Sequence, residues 1–78
     1  MDRALLRKFA TGKISAVQFN LSPERGFEPR WRPRINGKGI RNADDPDEGF
    51  MTRNEAKSAA ARFKEHCRIY LHNLELSD

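Results

Sequence analysis

One cysteine, one tryptophan and one tyrosine are spread over 78 residues. A lone thiol forms no internal disulfide and cannot build a cysteine zinc site, so the usual staples of a very small fold are excluded. Apolar residues make up 37% of the chain and never run for the ~18 positions that a membrane helix needs. The opening stretch, MDRALLRKFA, is too polar for the apolar region of a secretory signal. These absences predict a soluble, cytoplasmic, metal-free domain with no membrane partner and no cofactor. The length allows one small domain over 1–78, with a modest core that a partner or a second copy (a homodimer) would help to stabilise.

What the chain has in quantity is charge. Charged residues account for 33%, and fifteen Lys/Arg against eleven Asp/Glu leave +4. The charge lies on a pattern that reads as α+β: a short N-terminal helix (1–12), a three-stranded antiparallel meander (15–42) and a long C-terminal helix (52–73) packed on one sheet face. Asp2 can cap a helix running to Ala10, with Leu5, Leu6 and Phe9 on its apolar side and Thr11-Gly12 as its stop. Ser15 to Leu21 alternates: Val17, Phe19 and Leu21 on one face, Ala16, Gln18 and Asn20 on the other. Arg30 to Ile35 alternates again, with Trp31 and Ile35 inward. Asn36-Gly37 then marks a tight hairpin, because both positions accept φ > 0. The return strand is expected over 38–42, with Ile40 inward and Arg41 outward. Pro33 cannot donate within a ladder, which predicts either a bulge or a missing N–H turned to an unpaired edge.

Thr52-Arg53-Asn54-Glu55 is a capping box. The helix it opens carries Ala56, Ala60, Phe63, Cys67, Tyr70 and Leu74 at three- and four-residue spacing, a single apolar stripe. Some twenty helical residues span ~30 Å against ~20 Å for a six-residue strand, so this helix must overhang the sheet. The N-terminal helix is the expected cover for the overhang around Tyr70, Leu71 and Leu74.

From Arg25 to Arg41 there are six positive residues and one negative, a balance of +5. Period-two spacing places Arg30, Arg32 and Arg34 on one strand face, turned away from the core if Trp31 and Ile35 face the helix. Arg41, Gln18 and Asn20 are expected on that same face, with Lys38 on the adjoining hairpin. Clustered like charge is unfavourable by itself and fits an anionic partner, most simply a phosphate backbone. Arginine's planar fork suits phosphate oxygens and guanine edges, and Gln or Asn suits adenine. Two partner-free alternatives stand beside this: a solvated outer face, and an acidic loop (Asp44, Asp45, Asp47, Glu48) that folds back and neutralises the arginines. A second basic stripe, Arg53, Lys57, Lys64 and Arg68, falls within ~60° around the long helix at ~100° per residue. Such a stripe commonly lays its stems over apolar surface.

No enzyme site is visible. Cys67 lies on the apolar stripe, where cysteine behaves as a small hydrophobe, and His66 and His72 bring no third orienting group. The acidic loop does not match calcium-loop spacing, since Pro46 and Gly49 fall in the wrong places.

Between Val17 and His66 the chain strings together Arg30-Trp31-Arg32, the hairpin Asn36-Gly37-Lys38, the step Gly49-Phe50-Met51-Thr52, then Glu55-Ala56 and an Ala-rich helix. This order resembles the plant ethylene-response (Apetala-type) DNA-binding domain, the arm-binding domain of phage tyrosine integrases, and the YegP-like family of small bacterial proteins. The first two resemblances imply a three-stranded sheet laid in a DNA major groove, with Arg30, Arg32, Arg34 and Arg41 as its contacts, and a free-standing binding module. The expected function is therefore a non-enzymatic nucleic-acid-binding module contacting the backbone of double-stranded DNA through its arginines. The alternative is a phage- or mobile-element-type protein-binding module that occupies an acidic surface and modulates a host nucleoprotein complex.

Overall fold

The computed structural model describes residues 2–77. Met1 and Asp78, the two ends of the expected 1–78 domain, lie outside the described residues. The fold is α+β, as the patterning predicts. Helix α1 spans Arg3–Thr11, strand β1 Ile14–Asn20, β2 Pro29–Ile35, β3 Lys38–Gly39, and helix α2 Arg53–Ser77. A 3₁₀ turn at Pro23–Arg25 joins β1 to β2, and the antiparallel sheet has the order β1-β2-β3.

Helix α1 starts where Asp2 accepts the Leu5 amide at 2.9 Å. It buries Leu6, Phe9 and Ala10. Gly12 then lets the chain turn hard against the end of β2: a Cβ there would lie 2.4 Å from Ile35 Cγ2 and 2.7 Å from the Lys8 carbonyl. The hairpin at Asn36-Gly37 has φ 54° and 75°, the left-handed pair that the dipeptide favours.

Pro33 explains why β3 is two residues long and not the expected five. Its carbonyl accepts from the Ile40 amide at 3.3 Å, so its ring nitrogen faces the same flank of β2. With no N–H to offer there, the ladder stops and the return chain leaves. Pairing resumes two residues away, where Trp31 and Phe50 exchange backbone bonds of 2.9 and 2.8 Å.

The face assignment of β1 needs correction. The register pairs Ile14 with Ile35, Ala16 with Pro33 and Gln18 with Trp31. Opposed residues share a face, and Ile14 and Ile35 pack with Ala60 and Phe63 of α2. The face against the helix is therefore Ile14 and Ala16, while Val17 and Phe19 lie on the outer side. Ala56, Ala59 and Ala60 are fully buried and bring the helix close to the sheet.

Thr52 caps α2: its hydroxyl accepts from the Glu55 amide at 3.2 Å and donates to the Glu55 carboxylate at 3.0 Å. The helix is longer than expected, 25 residues, because α1 supports its final turns. Leu74 packs on the core, Arg3 donates to the Leu74 carbonyl at 3.4 Å, and Arg7 pairs with Glu75 at 3.4 Å. At about 37 Å the helix overruns the sheet, and the molecule measures 51 × 20 × 18 Å. The α1 cover buries Leu71 but leaves Tyr70 exposed, because the apolar row steps from Cys67 by four residues, not three. The core joins both helices to the sheet end through Leu6, Phe9, Ile35, Cys67 and Leu71, with Phe9 edge-on to Phe63 at 5.4 Å.

Candidate nucleic-acid interface

Alternation along β2 projects Arg30, Arg32 and Arg34 from the side opposite Ile35, hence away from α2. The row is continuous in backbone terms but not in availability. Arg30 donates to Glu28 at 2.7 Å and to the Pro29 carbonyl at 2.9 Å, and its side chain is only 11% exposed. Arg32 is exposed; its guanidinium lies over the Phe19 ring and donates to the Asp47 carbonyl at 3.5 Å. Arg34 is half-buried and donates to the Gly37 carbonyl at 2.8 Å; its Nε is buried without a partner. Arg32 and Arg34 thus spend hydrogen bonds on backbone carbonyls, which leaves their charge uncompensated.

The acidic loop folds back on part of this surface. Asp47 pairs with Arg41, and Glu48 pairs with Arg25. Gly49 makes that approach possible. It adopts φ 88°, and a Cβ there would sit 2.9 Å from the Phe19 ring and 3.0 Å from the Trp31 carbonyl. Asp45 is buried and turned to its own loop, where it accepts the Asn42 amide at 3.0 Å. The loop therefore neutralises the flanking arginines at 25 and 41, meets Arg32 only through the Asp47 carbonyl, and offers Arg34 no carboxylate.

Gln18 and Asn20 do not join the arginine face. They are paired with Trp31 and Pro29, so they point to the helix side of the sheet, beyond its packed part, and both are exposed. Ser15, Val17 and Phe19 take the expected places beside the arginines. Val17 and Phe19 had read as core residues because the larger apolar set of an alternating strand ordinarily faces the core. Here the Arg32 guanidinium lies over Phe19 and Gly49 runs beside its ring, while Val17 stands opposite Arg32 in the register.

Lys38 pairs with Ile35 and so belongs to the helix side of the hairpin, with its ammonium 5.9 Å from the centre of the Phe9 ring. Among the described residues no carboxylate lies within 4 Å of Arg32, Arg34 or Lys38, nor of Lys8 and Lys13 at the same end of the sheet. Nothing in the spacing of Lys8 and Lys13 marks them for this end, since only the packing of α1 on the hairpin brings them there. On α2, Arg53 is exposed and Lys57 and Lys64 are half-buried along the flank of the apolar row. Arg68 of that stripe is bonded to Glu65 at 3.0 Å and holds the Glu65 carboxyl below its usual range.

Cys67 is buried in the core and its thiol is pushed up by that burial, whereas His66 and His72 are exposed. Among the described residues no three His, Cys, Asp or Glu side chains converge as a metal site would require. No helix of the described residues is long and apolar enough to cross a membrane. No family model, curated protein or solved structure matches the chain.

Proposed function

We propose that this chain is a small nucleic-acid-binding module that grips a phosphate backbone, foremost that of duplex DNA, through Arg32 and Arg34 on the outer face of its sheet. The observation that carries this reading is selective compensation. Arg25, Arg30 and Arg41 each have a carboxylate partner, while Arg32 and Arg34 between them have only carbonyls. Two uncompensated guanidiniums on one face, two residues apart, are stabilised by an anion brought from outside. Arg30, sequestered by Glu28, supports the strand end and is not a contact.

The test is titration of labelled duplex DNA, single-stranded DNA and RNA at two salt concentrations. Affinity is expected to fall steeply as salt rises, and Arg32→Glu with Arg34→Glu to abolish binding without unfolding the domain. A double variant that binds as well as the parent refutes the site.

One observation favours a second reading, a protein-binding module acting on a nucleoprotein complex. Phe27 is 60% exposed on a backbone with φ 55°, a conformation that a bulky residue seldom keeps without a use. On that reading free DNA binds weakly, with no dependence on its length.

A further inference from the structure

Four cations, one each from α1, the α1–β1 link, β2 and β3, belong to the chain segments that meet at the Asn36-Gly37 turn. Arg34 reaches it by donating to the Gly37 carbonyl. Lys13 is tied to it in both directions: its amide donates to Asn36 Oδ1 at 3.0 Å, and its carbonyl accepts the Asn36 amide at 3.0 Å. Lys8 is brought alongside because Asn36 Nδ2 donates to its carbonyl at 3.4 Å. Lys38 begins the return strand. Asn36 thus fastens the last turn of α1 to the hairpin, and the side chains it gathers are all of one sign.

Between α1 and the hairpin lies a cleft of about 190 Å³, lined by Leu5, Lys8, Phe9, Ile35, Asn36 and Lys38. Two lysines thirty positions apart converge on it, and none of the described carboxylates lies within 4 Å of either. Lys8 also suits the carbonyl end of α1, but that role does not require Lys38 to line the same cleft. Pockets for whole small molecules run roughly 300–1,000 Å³, so this cleft is too small to enclose a nucleotide. It is suited to one phosphate of a chain whose remaining parts stay outside.

We infer that the Lys8–Lys38 cleft is a second phosphate contact, which carries the nucleic-acid backbone from Arg32 and Arg34 on the sheet around the hairpin end and onto α1. The inference rests on the nucleic-acid reading above. It makes α1 part of the binding surface, and it makes Asn36 the residue that holds Lys8 beside the hairpin.

The experiment compares the parent with Lys8→Gln, Lys38→Gln, the double lysine variant, and an Arg32→Gln/Arg34→Gln control. Each is titrated by anisotropy against a labelled duplex across a salt series, with folding checked by circular dichroism. The plot of log K against log salt is expected to flatten by about one for each lysine replaced and by about two for the pair. In the parent, adding duplex is expected to shift the amide resonances of residues 8–13 and 36–38. The inference falls, and the functional reading survives, if the lysine pair keeps the parental slope while the arginine control weakens binding. Both fall if the parent shows no salt-dependent binding to any nucleic acid. Saturation of the same amides by a phosphoserine peptide, with no response to duplex, overturns the nucleic-acid occupant.

Discussion

The guanidinium carbon of Arg32 lies 4.3 Å from the centroid of the Phe19 ring, on the sheet face turned away from α2. This contact reconciles an apolar strand face with its lack of a covering helix. The guanidinium itself shields one face of the ring, and because Arg32 stays exposed an anion can still reach the fork. On the proposed reading, removing Arg32 affects both stability and binding, and the two effects separate by substitution. Arg32→Ala is expected to cost about 0.5–1 kcal/mol of stability through the lost contact with Phe19. Arg32→Lys keeps the charge but not the planar fork, so it should retain the salt dependence of DNA binding while weakening the affinity. Urea denaturation and a salt-series titration read the two quantities independently. An Arg32→Ala variant as stable as the parent would show that Phe19 gains nothing from its neighbour.

On the proposed reading, the acidic loop competes internally with the nucleic acid for arginines. Asp47 and Glu48 occupy Arg41 and Arg25, both exposed pairs of the kind worth only ~0–1 kcal/mol. Asp47→Asn with Glu48→Gln is thus expected to leave the unfolding midpoint nearly unchanged. It should strengthen duplex binding and steepen its salt dependence, because two cations are released and two repelling charges are removed. A tighter complex with an unaltered salt slope would mean that Arg25 and Arg41 stay off the phosphates.

Cys67 provides a pH-dependent readout of the core. Burial raises its folded-state pKa, so on alkaline titration the unfolded thiol, ordinarily near ~8.5, ionises first. Below that value both states hold the proton and the contribution is complete. As pH rises above it the unfolded chain binds fewer protons, and stability declines until the folded thiol also ionises. Denaturation between mildly and strongly alkaline pH should therefore show a loss that Cys67→Ala lacks. Equal slopes for parent and variant would place the thiol in contact with water.

Much of the scaffold was legible because its signals are local. Asp2, the Asn36-Gly37 pair and the Thr52–Glu55 box each act within four residues, and each does what its chemistry dictates. The faces of β1 were not legible, since alternation marks a strand without saying which set meets the helix. Ile14 and Ala16 face α2 because its alanines demand a close approach, and on the other face the Arg32 guanidinium and Gly49 meet the Phe19 ring. The return strand was overextended because the effect of Pro33 depends on which flank its nitrogen meets. The candidate site was legible as a row of arginines but not as a set of available charges. Glu28 takes Arg30 two residues along the chain, Asp47 and Glu48 reach Arg41 and Arg25 by the loop path that Gly49 permits, and Lys8 meets Lys38 only through the docking of α1.

Phe27 offers a test of what the β1–β2 connection is for. Three backbone bonds hold the turn: Arg25 and Phe27 donate to the Ser22 carbonyl and Gly26 to that of Pro23. They place Phe27 at φ 55°, where an L-residue carries a penalty of roughly 1–2 kcal/mol. The residue is 60% exposed, so burial offsets little of that cost. Asparagine enters this region far more readily and, unlike glycine, does not add freedom to the unfolded chain. Phe27→Asn is therefore expected to stabilise the domain by about 0.5–1 kcal/mol, seen as a higher urea midpoint at an unchanged slope, whereas Phe27→Leu should give no gain. A lower midpoint for Phe27→Asn would show that the ring packs to real effect and that the strain argument fails. If the midpoint rises and duplex binding is unaltered, the exposed ring is stability given up for something other than nucleic acid. A hydrophobic anchor for a protein partner is the use that fits its exposure.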